Sequence, residues 1–193
     1  MLYDSSYQNP TRIHFGKNAI NKLANELKAY GQNILLVYGK AAIKKIGLYD
    51  QVINILQAEG KHVVELAGIN ANPRYTQLLE GARLVREHNI DLILAVGGGS
   101  VIDCAKGIAC GAYAEGDVWQ RYYVNQEPVT NPVVPVGSIL TMAGTGSEMN
   151  SGSVITNEET KEKIGRVYPL ALVTPRFSIL NPEYTYSVPK YQM

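Results

Sequence analysis

Three consecutive glycines and a serine, Gly97–Ser100, carry the clearest chemistry in the chain. They follow the apolar run Leu92–Val96 and open into VIDCAKGIACG, a stretch suited to a helix. A strand that ends in glycines and feeds a helix leaves free backbone N–H groups and the positive end of a helix dipole at one point. That arrangement favours an anion, above all a phosphate. Glycine also lets the anion approach the backbone closely, and one glycine would suffice for a turn alone. Ser100 stands as N-cap with Asp103 three residues on; the plainer alternative is that this pair only caps its own helix. The dinucleotide fingerprint G-x-G-x-x-G is not met, because position 102 is Ile.

A second stretch, Thr141–Asn150 (TMAGTGSEMN), is dense in hydroxyls and small residues. Its hydroxyls and amides could bind phosphate or a carboxamide, or it could be a flexible polar loop. It fails the P-loop pattern, since no Lys follows the last Gly. His14, His62 and His88 lie far apart, with no metal-ligand spacing among them. Cys104 and Cys110 are six apart on one predicted helix and face different ways, so they cannot pair with each other. No nucleophile elbow is present. The 13 tyrosines are scattered and read as packing and surface.

The elements that must position these residues follow from periodicity. Arg12–Phe15 reads as a strand after an irregular arm from Tyr3. Lys17–Tyr30 has a helical stripe ending at Gly31. Ile34–Tyr38 is uniformly apolar and suits a parallel strand covered on both faces. A short helical piece breaks near Gly47; Leu48, Val52, Ile55 and Leu56 mark a further helix to Gly60. Val63–Leu66 is a strand, Asn72-Pro73 a turn, and Tyr75–Val85 a helix. Leu92–Val96 is the third covered strand, with a helix from Ser100 to Ala112. This alternation implies an α/β fold, a Rossmann-like parallel sheet with flanking helices, with ligands beyond the carboxyl ends of the strands. Gly39, the 68–72 loop and Gly97–Ser100 all follow strands and should line one crevice. The pattern then loosens. Asp117–Thr130 reads as a surface excursion and Val133–Val136 as a fourth strand near an edge, because of Pro135. Val154–Thr156 and Lys163–Tyr168 flank a polar turn, Phe177–Leu180 is a further strand, and Asn181-Pro182 begins a connector.

Net charge is +1, from 18 Lys+Arg against 17 Asp+Glu, so no basic surplus argues for nucleic acid or a membrane surface and any anion site must be local. No apolar run approaches the ~20 residues of a membrane helix, and the N-terminus has no signal pattern. Two free thiols agree with a reducing compartment, and a cytoplasmic location is the default.

GGGSVIDCAK, Gly97–Lys106, resembles a motif of the iron-containing (group III) alcohol dehydrogenases, and TMAGTGSE, Thr141–Glu148, resembles that family's second signature. The opening YDSSYQNPTRIHFG, the VYGK turn at Val37–Lys40, GINANPRY at Gly68–Tyr75 and LNPEYTYSVPKYQ at Leu180–Gln192 are similar to the butanol dehydrogenase-like branch. The resemblance implies a two-domain enzyme: an NAD(P)-binding α/β domain related to those of glycerol dehydrogenase and dehydroquinate synthase, and an all-helical domain. The helical domain brings one Asp and three His to Fe²⁺ or Zn²⁺. In that family the first metal ligands follow the stretch matching Tyr184–Gln192, so none is assigned here, and residues 1–181 read as the cofactor domain with 182–193 as a connector. It implies cofactor contacts at Gly39 and Lys40 by the adenosine ribose, and at Asn72 on the adenine side. Gly97, Gly98, Gly99 and Ser100 would hold the pyrophosphate, with Asp103 at the nicotinamide end. Thr141, Thr145, Ser147 and Asn150 would line the walls, and Lys163 would reach a ribose hydroxyl; the alternative for Lys163 is a solvated charge. Gly39 stands where NAD-preferring relatives carry Asp, with Lys40, Lys44 and Lys45 near, so the expected cofactor is NADP or NAD, with NADP(H) accepted or even preferred. The implied enzyme transfers hydride between NAD(P)H and a small aldehyde or primary alcohol, as a homodimer at full length. Two other readings are a dinucleotide-binding module without activity and a dehydroquinate synthase-like lyase, which the butanol dehydrogenase-like flanks disfavour.

Overall fold

Uniformly apolar strands set the architecture in the computed structural model, which describes residues 8–187. β2 (Asn33–Tyr38) and β4 (Leu92–Gly98) are buried almost end to end. With β1 (Arg12–Phe15), β3 (His62–Leu66), β5 (Val136–Met142) and β8 (Phe177–Leu180) they form a six-stranded sheet, ordered β1-β8-β5-β4-β2-β3. Every pairing in it is parallel. Alternate side chains enter two cores. Leu35, Val37, Ile93 and Ala95 pack with α4 (Tyr75–Glu87) and α5 (Gly99–Gly111) on one face. Ile34, Leu36, Leu92 and Leu94 pack with α1 (Leu23–Leu27) and α3 (Leu48–Ala58) on the other. Burial on both faces is what removes the polar alternation from β2 and β4. The short α2 (Ala42–Lys45) precedes Gly47, which takes positive φ before α3.

α5 runs through the middle of the molecule, buried from Val101 to Gly111. Its small residues allow this: a Cβ on Gly107 would lie 2.6 Å from Leu78 Cδ1 of α4 and 2.8 Å from the Tyr123 hydroxyl. Cys104 and Cys110 are buried and unpaired, and burial pushes both thiols up to about 12. An antiparallel hairpin of β6 (Gly152–Asn157) and β7 (Glu162–Val167) lies outside the main sheet, with β6 packed on α5. The four-residue α6 (Leu170–Val173) leads into β8.

Three sequence expectations change. Lys17–Tyr30 is a 3-10 turn, Ala19–Lys22, followed by the five-residue α1, rather than one helix. The fourth covered strand is Val136–Met142, not Val133–Val136; Pro135 precedes it and still accepts the Ile93 N–H at 3.0 Å. The first part of the hydroxyl-rich stretch is therefore strand. Asp117–Thr130 is not a surface excursion, for Trp119, Tyr122 and Tyr123 are buried in a π-helical turn, Trp119–Val124. Trp119 stacks on Tyr123 with centroids 5.3 Å apart, and the buried Arg166 donates to the Tyr122 carbonyl at 2.5 Å. Residues 182–187 form a 3-10 turn whose Tyr184 joins the second core. The arm from Tyr3 to Tyr7 and the connector beyond Ser187 lie outside the described residues.

Candidate functional site: an anion cleft at the β4–α5 junction

The three glycines form no separate loop. Gly97 and Gly98 end β4, and Gly99 and Ser100 begin α5. Gly98 is the N-cap, and no side chain caps the helix. That corrects the expectation for Ser100 and Asp103: Ser100 lies inside the first turn and donates to the Ala71 carbonyl, and Asp103 accepts from Ser147 in the loop and from the Val154 N–H of β6. The first-turn N–H groups thus keep the dipole end of a long buried helix without a side-chain partner, which suits an anion.

The junction forms one side of a cleft of about 300 Å³. Ile69, Asn70 and Ala71 line the β3 side, and Met142, Ala143, Gly144 and Thr145 line the β5 side. The register between β4 and β5 slips at the rim: Gly97 pairs with Leu140, but Gly98 pairs with Met142. Thr141 is the extra residue of this bulge, a feature that re-aims a chain next to a site. The wall comes close. A Cβ on Gly99 would lie 2.6 Å from Thr145 Oγ1 and 3.3 Å from Ser147 Oγ. Only glycine allows the hydroxyls so near the helix N-terminus.

Behind the wall a polar network ties the loop to α5. Thr145 Oγ1 and Ser147 Oγ are 2.8 Å apart, and Ser147 donates to Asp103 Oδ1 at 2.9 Å. The Val154 N–H reaches Asp103 Oδ2 at 3.1 Å. Asp103 is 8% exposed; burial pushes its carboxyl up, against the Ser147 hydrogen bond and the Lys106 charge. Asn150 donates to the Thr145 carbonyl at 3.0 Å and accepts from Lys106 Nζ at 3.0 Å. Sequence reasoning missed Lys106, which hides among Cys, Ala and Gly; its spacing of three from Asp103 was the available signal.

The remaining candidates flank the cleft. Lys163 on β7 donates to Asn72 Oδ1 at 2.8 Å, so two residues far apart in the chain stand together at the surface. Gly39 follows β2, and its carbonyl accepts the Gly68 N–H at 3.0 Å, which places it beside the 68–72 loop. Lys40 is exposed next to it, outside the lining of the cleft. Lys44 lies over the Tyr49 ring, 4.5 Å from its centroid. Of the thirteen candidates, Gly98, Gly99, Ser100 and Thr145 line the cleft itself; Gly97, Thr141, Ser147, Asn150 and Asp103 support it.

An uncapped helix start, a glycine approach and a hydroxyl wall fit the phosphates of a dinucleotide. Among the described residues, no three His, Cys, Asp or Glu come together as a metal site.

A family model for iron-containing alcohol dehydrogenase matches residues 10–182. The chain is 54% identical over 189 residues to a probable NADH-dependent butanol dehydrogenase 1 of Bacillus subtilis (strain 168), covering 98% of this chain and 48% of the relative. It is 40% identical over 186 residues to the NADPH-dependent aldehyde reductase YqhD of Escherichia coli (strain K12), covering 95% of this chain and 46% of the relative. It superimposes on the crystal structure of NADH-dependent butanol dehydrogenase A from Thermotoga maritima with a TM-score of 0.89 at 39% identity, over 98% of this chain and 47% of that one. The chain thus spans about half the length of the relatives it matches.

Proposed function

The chain belongs to the iron-containing alcohol dehydrogenase family, and on that basis we propose that it is the cofactor-binding part of an enzyme moving hydride between NAD(P)H and a small aldehyde or primary alcohol. The observation that carries this reading is the uncapped start of α5 at Gly98–Ser100, faced by Thr145 across a cleft. Gly97, Gly98, Gly99 and Ser100 hold the pyrophosphate through backbone N–H groups. Gly39 and Lys40 flank the adenosine ribose, Asn72 takes the adenine side, and Lys163, already on Asn72, reaches a ribose hydroxyl. Thr141, Thr145, Ser147 and Asn150 wall the cofactor, and Asp103 fixes Ser147 at the nicotinamide end. The bound cofactor supplies the hydride; these residues bind it, orient it and keep it from sliding along the cleft.

Both cofactors enter the proposal. Gly39 places no carboxylate at the end of β2 to repel a 2′-phosphate, and Lys40 and Lys45 in the segment after it are exposed, so NADPH is accepted. Residues 1–181 are the cofactor domain and 182–193 the connector in this reading. A cytoplasmic location, supported by two buried unpaired thiols, and a homodimer of the longer enzyme belong to it too. Among the described residues no helix is long and apolar enough to cross a membrane.

Calorimetric titration of the chain with NADPH and NADH tests the reading. It expects one saturable site for at least one of them; no saturable binding of either sinks it. A second reading is that these 193 residues bind cofactor but turn over no substrate alone; the chain spans about half the length of the relatives it matches. Butanal reduction by the chain with added Fe²⁺ or Zn²⁺ would overturn that second reading.

A further inference from the structure

We propose that Lys106 is a positioning residue of the cofactor site, its buried ammonium holding the cleft-wall loop against α5 through Asn150. The inference rests on the dinucleotide reading of the cleft.

Lys106 has no exposed surface, and it sits mid-helix between Ala105 and Gly107. A buried ammonium is costly unless it is well hydrogen-bonded, and an apolar side chain of the same length would fill the space more cheaply. Its partners show what the charge does. Nζ donates to Asn150 Oδ1 at 3.0 Å and to the Gly152 carbonyl at 2.9 Å. Asn150 Oδ1 also accepts the Gly152 N–H at 2.9 Å, while its amide donates to the Thr145 carbonyl at 3.0 Å. Thr145 then meets Ser147, and Ser147 returns to Asp103, one turn earlier on α5. One helix therefore grips the loop at two points, and Thr145, the residue at the cleft, lies between them.

The loop has little stiffness of its own. Gly144 and Gly146 flank Thr145, and Gly146 takes positive φ. The charged groups that act on Lys106 are Asp103 from its own helix and Glu148 from the loop; Lys163 on β7 acts on Asp103. Burial outweighs both carboxylates and pulls the ammonium down to about 8. Deprotonation removes the countercharge to Asp103 and weakens the bond to Asn150, so Thr145 loses its fixed place. By linkage, a bound dinucleotide that needs the fixed wall favours the ammonium form.

The test measures the NADPH dissociation constant by cofactor fluorescence from pH 7 to 9.5, for wild type and Lys106→Met. Wild-type affinity should fall on the order of tenfold across a midpoint near pH 8. Lys106→Met should bind more weakly at pH 7 and show no pH step. A purely structural lysine would lower the melting temperature of the variant yet leave the step in place, and that result overturns the proposal. Should Lys106→Met fail to fold, NMR of the wild-type Lys106 ε-carbon decides: its titration midpoint should match the binding step and move upward with NADPH. A midpoint that NADPH does not move overturns the proposal. Intact binding with no pH step in wild type defeats the Lys106 role alone; no NADPH binding at any pH defeats both the role and the cofactor reading.

Discussion

Thr145 closes over Gly99 so tightly that a single added carbon on the glycine would sit 2.6 Å from the threonine hydroxyl. The helix start and the loop after β5 are thereby fitted to each other, and the space between them belongs to a ligand that meets bare backbone on one side and hydroxyls on the other. Gly99→Ala must push Thr145 and Ser147 outward. NAD(P)H affinity should fall about tenfold or more, about 1.4 kcal/mol. The melting temperature should fall as well, because Ser147 is buried and bonded to Asp103. Unchanged affinity in a titration of the variant would place the ligand elsewhere.

Cofactor choice should turn on Gly39. Its carbonyl is tied to the Gly68 N–H at 3.0 Å, and a Cβ there would meet nothing nearer than 3.7 Å, so an Asp can be accommodated. Gly39→Asp should weaken NADPH by about tenfold or more through repulsion of the 2′-phosphate, while NADH binding is kept. Paired titrations check this; equal loss for both cofactors would contradict the assignment.

The β2 and β4 strands and their helices are legible in the sequence because burial on both faces leaves nothing but apolar residues in Ile34–Tyr38 and Leu92–Val96. β5 is not legible in that way. It carries Gly137 and Ser138, and it hides the hydroxyl by pairing it with another, Ser138 Oγ to Ser178 Oγ at 2.7 Å, a contact 40 residues away. Trp119 and Tyr122 sit among polar neighbours, and each packs on a residue from another element, Trp119 on Tyr75 and Tyr122 on Arg166. In the site, the glycines and Asp103 are legible by motif. Lys106 closes the same motif but takes no role from it, because a lone lysine in a helix is usually a solvated one. Its role appears only when the fold brings Asn150 and Gly152 to its end.

The same lysine makes stability depend on pH with a definite sign. Burial lowers its ammonium from 10.5 to about 8. Above about 8 the folded chain releases a proton that the unfolded chain keeps, so the lysine's contribution to stability rises with pH until the unfolded lysine titrates. Between pH 7.5 and 9.5 this contributes about 2 kcal/mol, or roughly 4–8 °C in melting temperature for a chain of this size. Cys104 and Cys110 act the other way: burial raises both thiols from 9.0 to about 12, and their contribution is lost as pH rises past 9. The lysine therefore shows in the difference between wild type and Lys106→Met, which share both thiols. Differential scanning calorimetry should show the wild-type melting temperature gaining on the variant's across this window; a constant difference would show that Lys106 is not a buried ammonium that titrates there.

In the proposed site the β4–α5 junction holds the cofactor's pyrophosphate. Backbone amide NMR of the chain titrated with NADPH tests it most directly. The largest shifts should fall at Gly98, Gly99 and Ser100, with Thr145 following at the same concentration of ligand. Saturable NADPH binding that leaves those three amides unmoved, with the shifts clustered on another part of the surface, would contradict it.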